Sequence, residues 1–245
     1  MAHKHQINHA IWAVVPAAGV GRRMQSNVPK QYLELNGRPV LEHTVNALLQ
    51  NEYITGLVIA LQHDDGYWSD VKIASNKPVI RTEGGKERAD SVLNALEALV
   101  NYQEFTEDDW VMVHDAVRPC LSQTDINKLV TEVDSDSGGL LALPVRDTMK
   151  RQNQNNAVEK TIERDKLWHA LTPQYFPALL LKTALEHART NRLTVTDDSS
   201  AMEFAGYSPA LVAGQEDNIK ITRPDDLRLA SLFLDAHNQV LKSTE

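Results

Sequence analysis

Two kinds of apolar pattern alternate along most of the chain, and this alternation constrains the fold more than any other feature. Runs rich in β-branched residues predict buried strands, whereas apolar residues at positions i, i+3, i+4 and i+7 predict helices, most clearly at 87–102. The other elements predicted in this way are strands at 11–15, 54–61, 77–81, 110–114 and 138–145, strands near Leu211 and Ile219, and helices at 40–50, 124–133 (with Thr124 as its N-cap), 177–191, 197–205 and 224–238. An alternating order of strands and helices predicts a parallel sheet that is covered on both faces.

One polar segment, from 146 to 174, interrupts the alternation. Short strand-like pieces at 148–150 and 158–162 flank a cluster of turn-forming residues at 151–156. This pattern predicts a hairpin that stands off the main sheet, with a mobile surface loop as the alternative. Because an exposed hairpin has unpaired strand edges, it would tend to pair with a partner.

Length and composition limit the class of protein. A chain of 245 residues lies within the size range of one α/β domain, and we find no linker that would divide 1–245. The single cysteine, Cys120, excludes an internal disulfide and a metal site built from cysteines. The longest apolar stretch, 11–18, is far shorter than the roughly 20 residues of a membrane-spanning helix. With no recognisable targeting segment, we expect a cytoplasmic protein that binds no membrane.

The distribution of charge points to a small anionic ligand. The formal net charge is −8, which disfavours nucleic acid as a partner. The first 33 residues nevertheless contain no Asp or Glu, but do contain Lys4, Arg22, Arg23 and Lys30. An acidic chain whose first segment carries only positive charge is expected to bind an anion there.

A glycine-rich loop follows the first predicted strand, at 16–24. Small residues and glycines after a strand allow backbone N–H groups to approach phosphate oxygens. The loop is not a Walker motif because no Gly-Lys-Ser/Thr follows, and Met24 stands where a dinucleotide-binding loop needs its third glycine. We interpret it as a phosphate-binding loop, the alternative being a glycine turn with solvated cations.

Several further motifs follow this loop in a fixed order. After Pro-Ala-Ala-Gly-x-Gly-Arg-Arg-Met at 16–24, the chain contains Pro-Lys-Gln-Tyr at 29–32, Gly-Gly-x-x-Arg-x-x-Ser-Val at 84–92, His-Asp-Ala-x-Arg-Pro at 114–119, Pro-Val-x-Asp-Thr-Met-Lys at 144–150, Trp-x-x-x-Thr-Pro-Gln at 168–174, Thr-Asp-Asp at 196–198 and Asn-Ile-Lys-Ile-Thr-x-Pro at 218–224. From about 12 to 234 the sequence resembles sugar nucleotidyltransferases and, more narrowly, the 2-C-methyl-D-erythritol 4-phosphate cytidylyltransferase family. The resemblance implies a single nucleotidyltransferase domain with a Rossmann-like, mostly parallel sheet, helices on both faces and a protruding β-arm at about 146–172.

The resemblance also implies a reaction. The family transfers CMP from CTP to 2-C-methyl-D-erythritol 4-phosphate, releases pyrophosphate, uses Mg²⁺ or another divalent cation, and forms homodimers, here expected through the β-arm. The attacking phosphate is largely ionised at neutral pH, since its second pKa is about 6, so no general base is needed. Charge neutralisation and in-line positioning remain to be supplied. The alternatives are a ribitol 5-phosphate cytidylyltransferase and a nucleotide-binding regulator without catalysis; the incomplete glycine motif disfavours a dehydrogenase.

Roles for individual residues follow from the same resemblance. It implies catalytic roles for Arg23, Lys30, Arg164 and Lys220, nucleotide binding by Ala17, Ala18, Gly19, Gly85, Ser91 and Asp115, and acceptor binding by Arg118, Thr148, Thr172, Thr196 and Asp197. Asp115 is also the candidate metal ligand, mainly by way of the CTP phosphates, and a helix or turn cap is its alternative role. His114 is predicted to be a hydrogen-bonded residue at a strand end, Cys120 to be inert, and Arg146 and Arg223 to form structural ion pairs.

Overall fold

The computed structural model describes residues 9–19, 28–133 and 136–243. In these ranges the strands are β1 (Ile11–Pro16), β2 (Glu34–Leu35), β3 (Arg38–Pro39), β4 (Ile54–Leu61), β5 (Val79–Glu83), β6 (Trp110–Val113), β7 (Gly139–Pro144), β8 (Met149–Gln152), β9 (Val158–Ile162), β10 (Trp168–Pro177) and β11 (Ala210–Ala213). The helices are α1 (Val40–Leu49), α2 (Arg88–Val100), α3 (Gln123–Glu132), α4 (Ala178–Thr190), α5 (Asp198–Phe204) and α6 (Pro224–Ser243). No helix in this part of the chain is both long and apolar enough to cross a membrane.

The central sheet has seven strands in the order β11-β7-β10-β6-β1-β4-β5. Neighbouring strands run parallel, except that β10 is antiparallel to both β6 and β7. The prediction of a mostly parallel α/β sheet is therefore confirmed. Parallel order brings the carboxyl ends of β1, β4, β5 and β6 to one edge, where sheets of this kind bind their ligands.

Helices pack on both faces of the sheet, and β1 shows how the sequence produces this. Alternate side chains of a strand point to opposite faces. Ile11, Ala13 and Val15 pack in one buried cluster with α1 and α3, while Trp12 and Val14 pack in a second cluster with α2 and α4. A central strand buried on both faces needs an uninterrupted apolar run, and 11–15 supplies one.

The strand β10 is the main element that the sequence analysis missed. The resemblance predicts that 168–172 belong to the arm, but these residues begin the longest strand of the central sheet. The polar residues Thr172 and Gln174 interrupt the apolar pattern there, and the register with β7 shifts between Ala170 and Gln174. The pattern rules therefore had no alternating apolar run to detect.

Two smaller predictions about secondary structure were wrong, and one predicted strand is displaced. Residues around Ile219 form a loop rather than a strand. Ser122, not Thr124, caps α3, because its Oγ accepts a hydrogen bond of 3.0 Å from the amide of Asp125. The strand predicted at 77–81 lies two residues later, at Val79–Glu83.

The predicted hairpin is confirmed, although it is shorter than the predicted arm. Strands β8 and β9 pair antiparallel as a separate two-stranded sheet. The turn between them is stabilised by Asn153, whose side-chain oxygen accepts hydrogen bonds from the amides of Asn155 and Ala157. All four residues of β8 and most of β9 are exposed.

Candidate active site

A cavity of about 300 Å³ opens at the carboxyl edge of the parallel strands. Its lining comes from the segments that follow β1, β5 and β6, from the turn at 30–31 and from one distant loop residue. The lining residues are Pro16, Ala17, Ala18, Gly19, Lys30, Gln31, Gly85, Lys86, Glu87, Arg88, Ser91, Asp115, Ala116, Val117 and Lys220. The structure thus brings together eight residues that were predicted from the sequence, although Arg23 lies outside the described ranges.

The start of the glycine-rich loop is fixed by two hydrogen bonds at Ala17. Its amide donates to the carbonyl oxygen of Ala60 at 2.8 Å, and its carbonyl oxygen accepts from the side-chain amide of Gln31 at 2.7 Å. Gln31 is buried, with 2% of its surface exposed. Sequence reasoning missed it, because nothing in the pattern distinguishes a buried glutamine from an exposed one. Gln31 joins the loop to the 3₁₀ turn Lys30–Tyr32 and so positions the neighbouring Lys30 at the cavity.

The segment from Gly84 to Ser91 forms another wall of the cavity. The Ser91 hydroxyl accepts a hydrogen bond of 3.0 Å from the Gly85 amide and donates one of 3.2 Å to the carbonyl oxygen of Glu87. A side chain at Gly85 would place its Cβ 2.2 Å from the Cβ of Asp90, so the close turn requires glycine. Ser91 therefore holds the segment in shape from within.

Asp115, two residues beyond the end of β6, is the electrostatic centre of the site. Three cationic side chains surround its carboxylate: Arg88 with Nε at 2.9 Å, Arg118 with Nε at 3.5 Å and Lys220 with Nζ at 2.8 Å. Burial alone would raise the pKa of Asp115, but these cations hold it well below its usual range. The carboxylate pairs with all three cations. Because their three positive charges exceed its single negative charge, they can also bind a phosphate.

A second cavity, of about 270 Å³, shares Arg88, Asp115 and Lys220 with the first. Four residues predicted to bind the acceptor come together in its wall: Arg118, Thr172, Thr196 and Asp197. Its remaining lining residues are Ala170, Leu171 and Gln174. The two cavities therefore adjoin each other at a cationic boundary.

Hydrogen bonds fix the wall of the second cavity. Thr172 Oγ1 accepts from the amide of Asp115 at 3.1 Å, and the Gln174 side chain donates to Asp197 at 2.8 Å. Arg118 Nη1 donates to the carbonyl oxygen of Asn218 at 2.6 Å, and the Asn218 side chain donates to that of Thr172 at 2.8 Å. Sequence reasoning missed Gln174 and Asn218 as supporting residues, although both stand within the quoted motifs.

His114 and Cys120 have the structural roles predicted for them. The imidazole of His114 is fully buried between the carbonyl oxygen of Arg118 and the hydroxyl of Thr172, and burial lowers its pKa to about 4. Burial also raises the pKa of the Cys120 thiol to about 12. Neither group is suited to proton transfer or nucleophilic attack near neutral pH.

Thr148 and Arg164 lie apart from both cavities. Thr148 is exposed just before β8, and the Arg164 guanidinium donates to the carbonyl oxygen of Arg146 at the base of the hairpin. Arg146 itself forms the predicted ion pair, with Glu216 as its partner. Neither Thr148 nor Arg164 lines either cavity of its own chain.

The described residues contain no group of three or more His, Cys, Asp or Glu side chains that could hold a metal ion. Of the two carboxylates at the first cavity, Asp115 is bound by cations and Glu87 is engaged in the capping box of α2. Mg²⁺ commonly binds through one or two carboxylates together with substrate phosphates. Both carboxylate oxygens of Asp115 already face cations, so a magnesium ion here would take mainly phosphate oxygens as its ligands, and Asp115 would bind it only in exchange for one of those cations.

Comparison with known proteins gives a consistent result. The sequence profile of the 2-C-methyl-D-erythritol 4-phosphate cytidylyltransferase family matches residues 11–236. The enzyme of that name from Aliivibrio fischeri is 52% identical over 226 residues, which cover 92% of this chain and 94% of the relative. The one from Vibrio vulnificus is 51% identical over 91% of this chain and 93% of its own length.

Solved structures agree with the sequence comparison. The crystal structure of the Francisella tularensis 2-C-methyl-D-erythritol 4-phosphate cytidylyltransferase superposes with a TM-score of 0.78 at 34% identity, covering 91% of this chain and 99% of that chain. The Thermus thermophilus enzyme gives 0.73 at 29% identity, with coverages of 91% and 98%. The chain belongs to the 2-C-methyl-D-erythritol 4-phosphate cytidylyltransferase family, and it is a nucleotidyltransferase of the cytidylyltransferase type.

Proposed function

We propose that the first cavity binds CTP, that the second binds 2-C-methyl-D-erythritol 4-phosphate, and that CMP is transferred across their shared boundary. The observation that carries this proposal is the pair of adjoining cavities with Arg88, Asp115 and Lys220 in common. In-line transfer requires the attacking oxygen and the α-phosphorus to meet at one point. A boundary that belongs to both cavities provides such a point.

The transfer forms one P–O bond and breaks another. An oxygen of the acceptor phosphate attacks the α-phosphorus of CTP, and the bond to the β-phosphate breaks, so that pyrophosphate leaves with its electron pair. No proton has to be removed from the ionised phosphate, which agrees with the buried, neutral state of His114. Lys30 is placed to neutralise the triphosphate, and Lys220 to neutralise charge where the two phosphates meet.

A divalent cation completes the proposed charge balance. Mg²⁺ bound to the triphosphate would offset its negative charge and polarise the phosphoryl oxygens. Among the described residues, Asp115 is the carboxylate at the shared boundary that would face such an ion. Its three cationic neighbours keep Asp115 ionised, and one of them would have to move away before the carboxylate could bind the ion.

The hairpin is proposed to act in a homodimer. It exposes apolar side chains, including Met149 at 37% and Val158 at 62%, together with the strand edges of a two-stranded sheet. Pairing of two hairpins would cover both features in one isologous interface. Thr148 and Arg164, which line neither cavity of their own chain, would then contribute to the acceptor cavity of the partner. The cytoplasm remains the compartment predicted from the sequence.

The reaction is tested by measuring pyrophosphate release from CTP with a panel of sugar and polyol phosphates. We expect efficient release with 2-C-methyl-D-erythritol 4-phosphate in the presence of Mg²⁺, and little with ribitol 5-phosphate. Faster release with ribitol 5-phosphate would contradict the proposed acceptor. Chelation of the divalent cation should stop the reaction, and addition of Mg²⁺ should restore it.

The shared site is tested by complementation. Lys30→Ala chains and Arg164→Ala chains should each be almost inactive alone. When they are unfolded together and refolded in equal amounts, random pairing makes half of the dimers mixed, and each mixed dimer has one intact site if the arm serves the partner. About a quarter of wild-type activity should therefore return. If mixed dimers form without recovery, Arg164 serves its own chain.

A further inference from the structure

Arg88 joins three parts of the site that are far apart in the sequence. It is the first residue of α2, its Nε contacts Asp115 at 2.9 Å, and its Nη2 contacts Asp198 at 2.9 Å. Its partners lie 27 and 110 positions away. Because Arg88 lines both cavities and retains 28% of its side-chain exposure, it lies at the boundary rather than behind it.

On the nucleotide side, Arg88 continues the segment from Gly84 to Ser91. That segment is held by the Gly85–Ser91 hydrogen bond and by the capping box formed by Glu87 and Asp90 at the start of α2. A ligand that contacts Gly85 therefore acts on a short, internally bonded unit. Any shift or ordering of this unit moves Arg88 with it.

On the acceptor side, Arg88 holds the start of α5. Asp198 is completely buried. Among the described residues, Arg88 is the cation that pairs with Asp198, and Asp198 Oδ1 has no hydrogen-bond partner. The residue before it, Asp197, caps α5 and lines the second cavity. The position of this wall therefore depends on where the guanidinium of Arg88 lies.

The planar guanidinium is suited to this connection. Its nitrogens have fixed relative directions, so two carboxylates that bind different nitrogens are held at a fixed spacing. Lysine has the same charge but presents it as a single flexible ammonium group, which cannot fix that spacing. The geometry therefore predicts a role for the shape of Arg88 that is separable from its charge.

We propose that Arg88 is a positioning residue that couples the two cavities, so that a nucleotide in the first strengthens binding of the acceptor in the second. This inference rests on the proposed assignment of CTP and the acceptor to the two cavities. Linkage requires the effect to be mutual, and couplings of this kind typically change affinity by roughly 5- to 150-fold. A residue that only stabilised the fold would weaken both ligands and leave their coupling unchanged.

The test measures the affinity of 2-C-methyl-D-erythritol 4-phosphate by calorimetry, with and without a saturating non-hydrolysable CTP analogue. For the wild-type enzyme we expect the analogue to tighten acceptor binding by about fivefold or more. Arg88→Lys should reduce this ratio to less than about twofold. Arg81→Gln, a change at an exposed arginine of β5 that lines neither cavity, should retain the wild-type ratio.

A second variant covers the case in which Arg88→Lys does not fold. Arg88→Gln/Asp198→Asn removes the buried pair as a unit, and Asp115, the other partner of Arg88, keeps Arg118 and Lys220 as its cations. It should fold, bind each ligand singly, and lack the coupling. A wild-type ratio in either folded variant would overturn this inference alone. The same holds if the wild-type enzyme binds the acceptor equally with and without the analogue. A wild-type enzyme that binds no acceptor in either state would overturn the proposed function, and the inference with it.

Discussion

Replacing Asp115 by Asn keeps the size of the side chain but removes the charge that holds three cations together. In the native protein its carboxylate accepts from Arg88, Arg118 and Lys220. An amide can accept at one oxygen only, and its NH₂ group would face cations. The variant therefore leaves positive charges close together without their counter-ion.

The magnitude follows from the burial of the three pairs. Removing one member of a buried ion pair costs about 3–5 kcal/mol. Arg118 retains 9% of its side-chain exposure, but Arg88 retains 28% and Lys220 38%, so solvent screens two of the pairs. We therefore expect the lower value, about 3 kcal/mol. For a protein of this size that corresponds to a fall in Tm of about 6–12 °C.

The effect should depend on pH with a definite sign. Since the folded-state pKa of Asp115 lies below that of the unfolded chain, its stabilising contribution is complete above the unfolded value, about 4, and is lost as the pH falls below it. The difference in Tm between wild type and Asp115→Asn should therefore be largest near neutral pH and should shrink below about pH 4.

Thermal unfolding followed by circular dichroism measures both effects, with Asp70→Asn in an exposed turn as the matched control. Millimolar pyrophosphate should raise the Tm of Asp115→Asn more than that of the wild type, because an anion can replace the missing counter-ion. At neutral pH, the reasoning would be refuted if Asp115→Asn changed the Tm of the protein no more than the control substitution does.

Four further results are expected. Lys30→Ala should fold normally and lose about 10³-fold or more in kcat, while Lys72→Ala at an exposed site retains activity; a loss below about tenfold would place the α-phosphate elsewhere. CTP should be preferred over UTP in kcat/KM by about tenfold or more, because the exocyclic amine of cytosine donates where uracil accepts. Equal kcat/KM values would mean that Gly85 and Ser91 do not recognise the base. Cys120 should react with thiol reagents at the rate of global unfolding, and fast labelling of the native protein would contradict its burial and its pKa of about 12. NMR titration should find His114 with a pKa near 4, so that stability falls as the pH drops from about 6.5 towards 4; titration near 6.5 would contradict its burial.

Local pattern was sufficient for most of the fold because β1, β4 and the helices satisfy one rule each. A strand buried on both faces has a continuous apolar run, and an amphipathic helix has its apolar stripe. The hairpin was found through its turn residues. In contrast, β10 lies within the central sheet but carries polar side chains that face the site. Its sequence therefore lacks the apolar pattern that local rules detect.

The candidate site was predictable only in part for a similar reason. The order of motifs predicted roles for Lys30, Asp115, Thr172 and Lys220, which line the two cavities, but motif order carries no information about which side chains support them. An arginine at the first position of a helix resembles a solvated cation until its partners are known. Arg88 became recognisable only when the fold brought Asp115 and Asp198 to it.

The place of β10 in the sheet has a consequence for how the chain acquires its structure. β10 lies between β6 and β7, although it follows both in the sequence. The strands from 11 to 113 can pair with one another as soon as they are synthesised, whereas β7 and β11 reach them only across β10. The edge of β6 therefore stays open until residues 168–177 arrive, and an open, apolar strand edge is a site for misassembly. We expect the half-sheet to be the species most prone to aggregation, and the second cavity, whose wall includes Thr172, to form last.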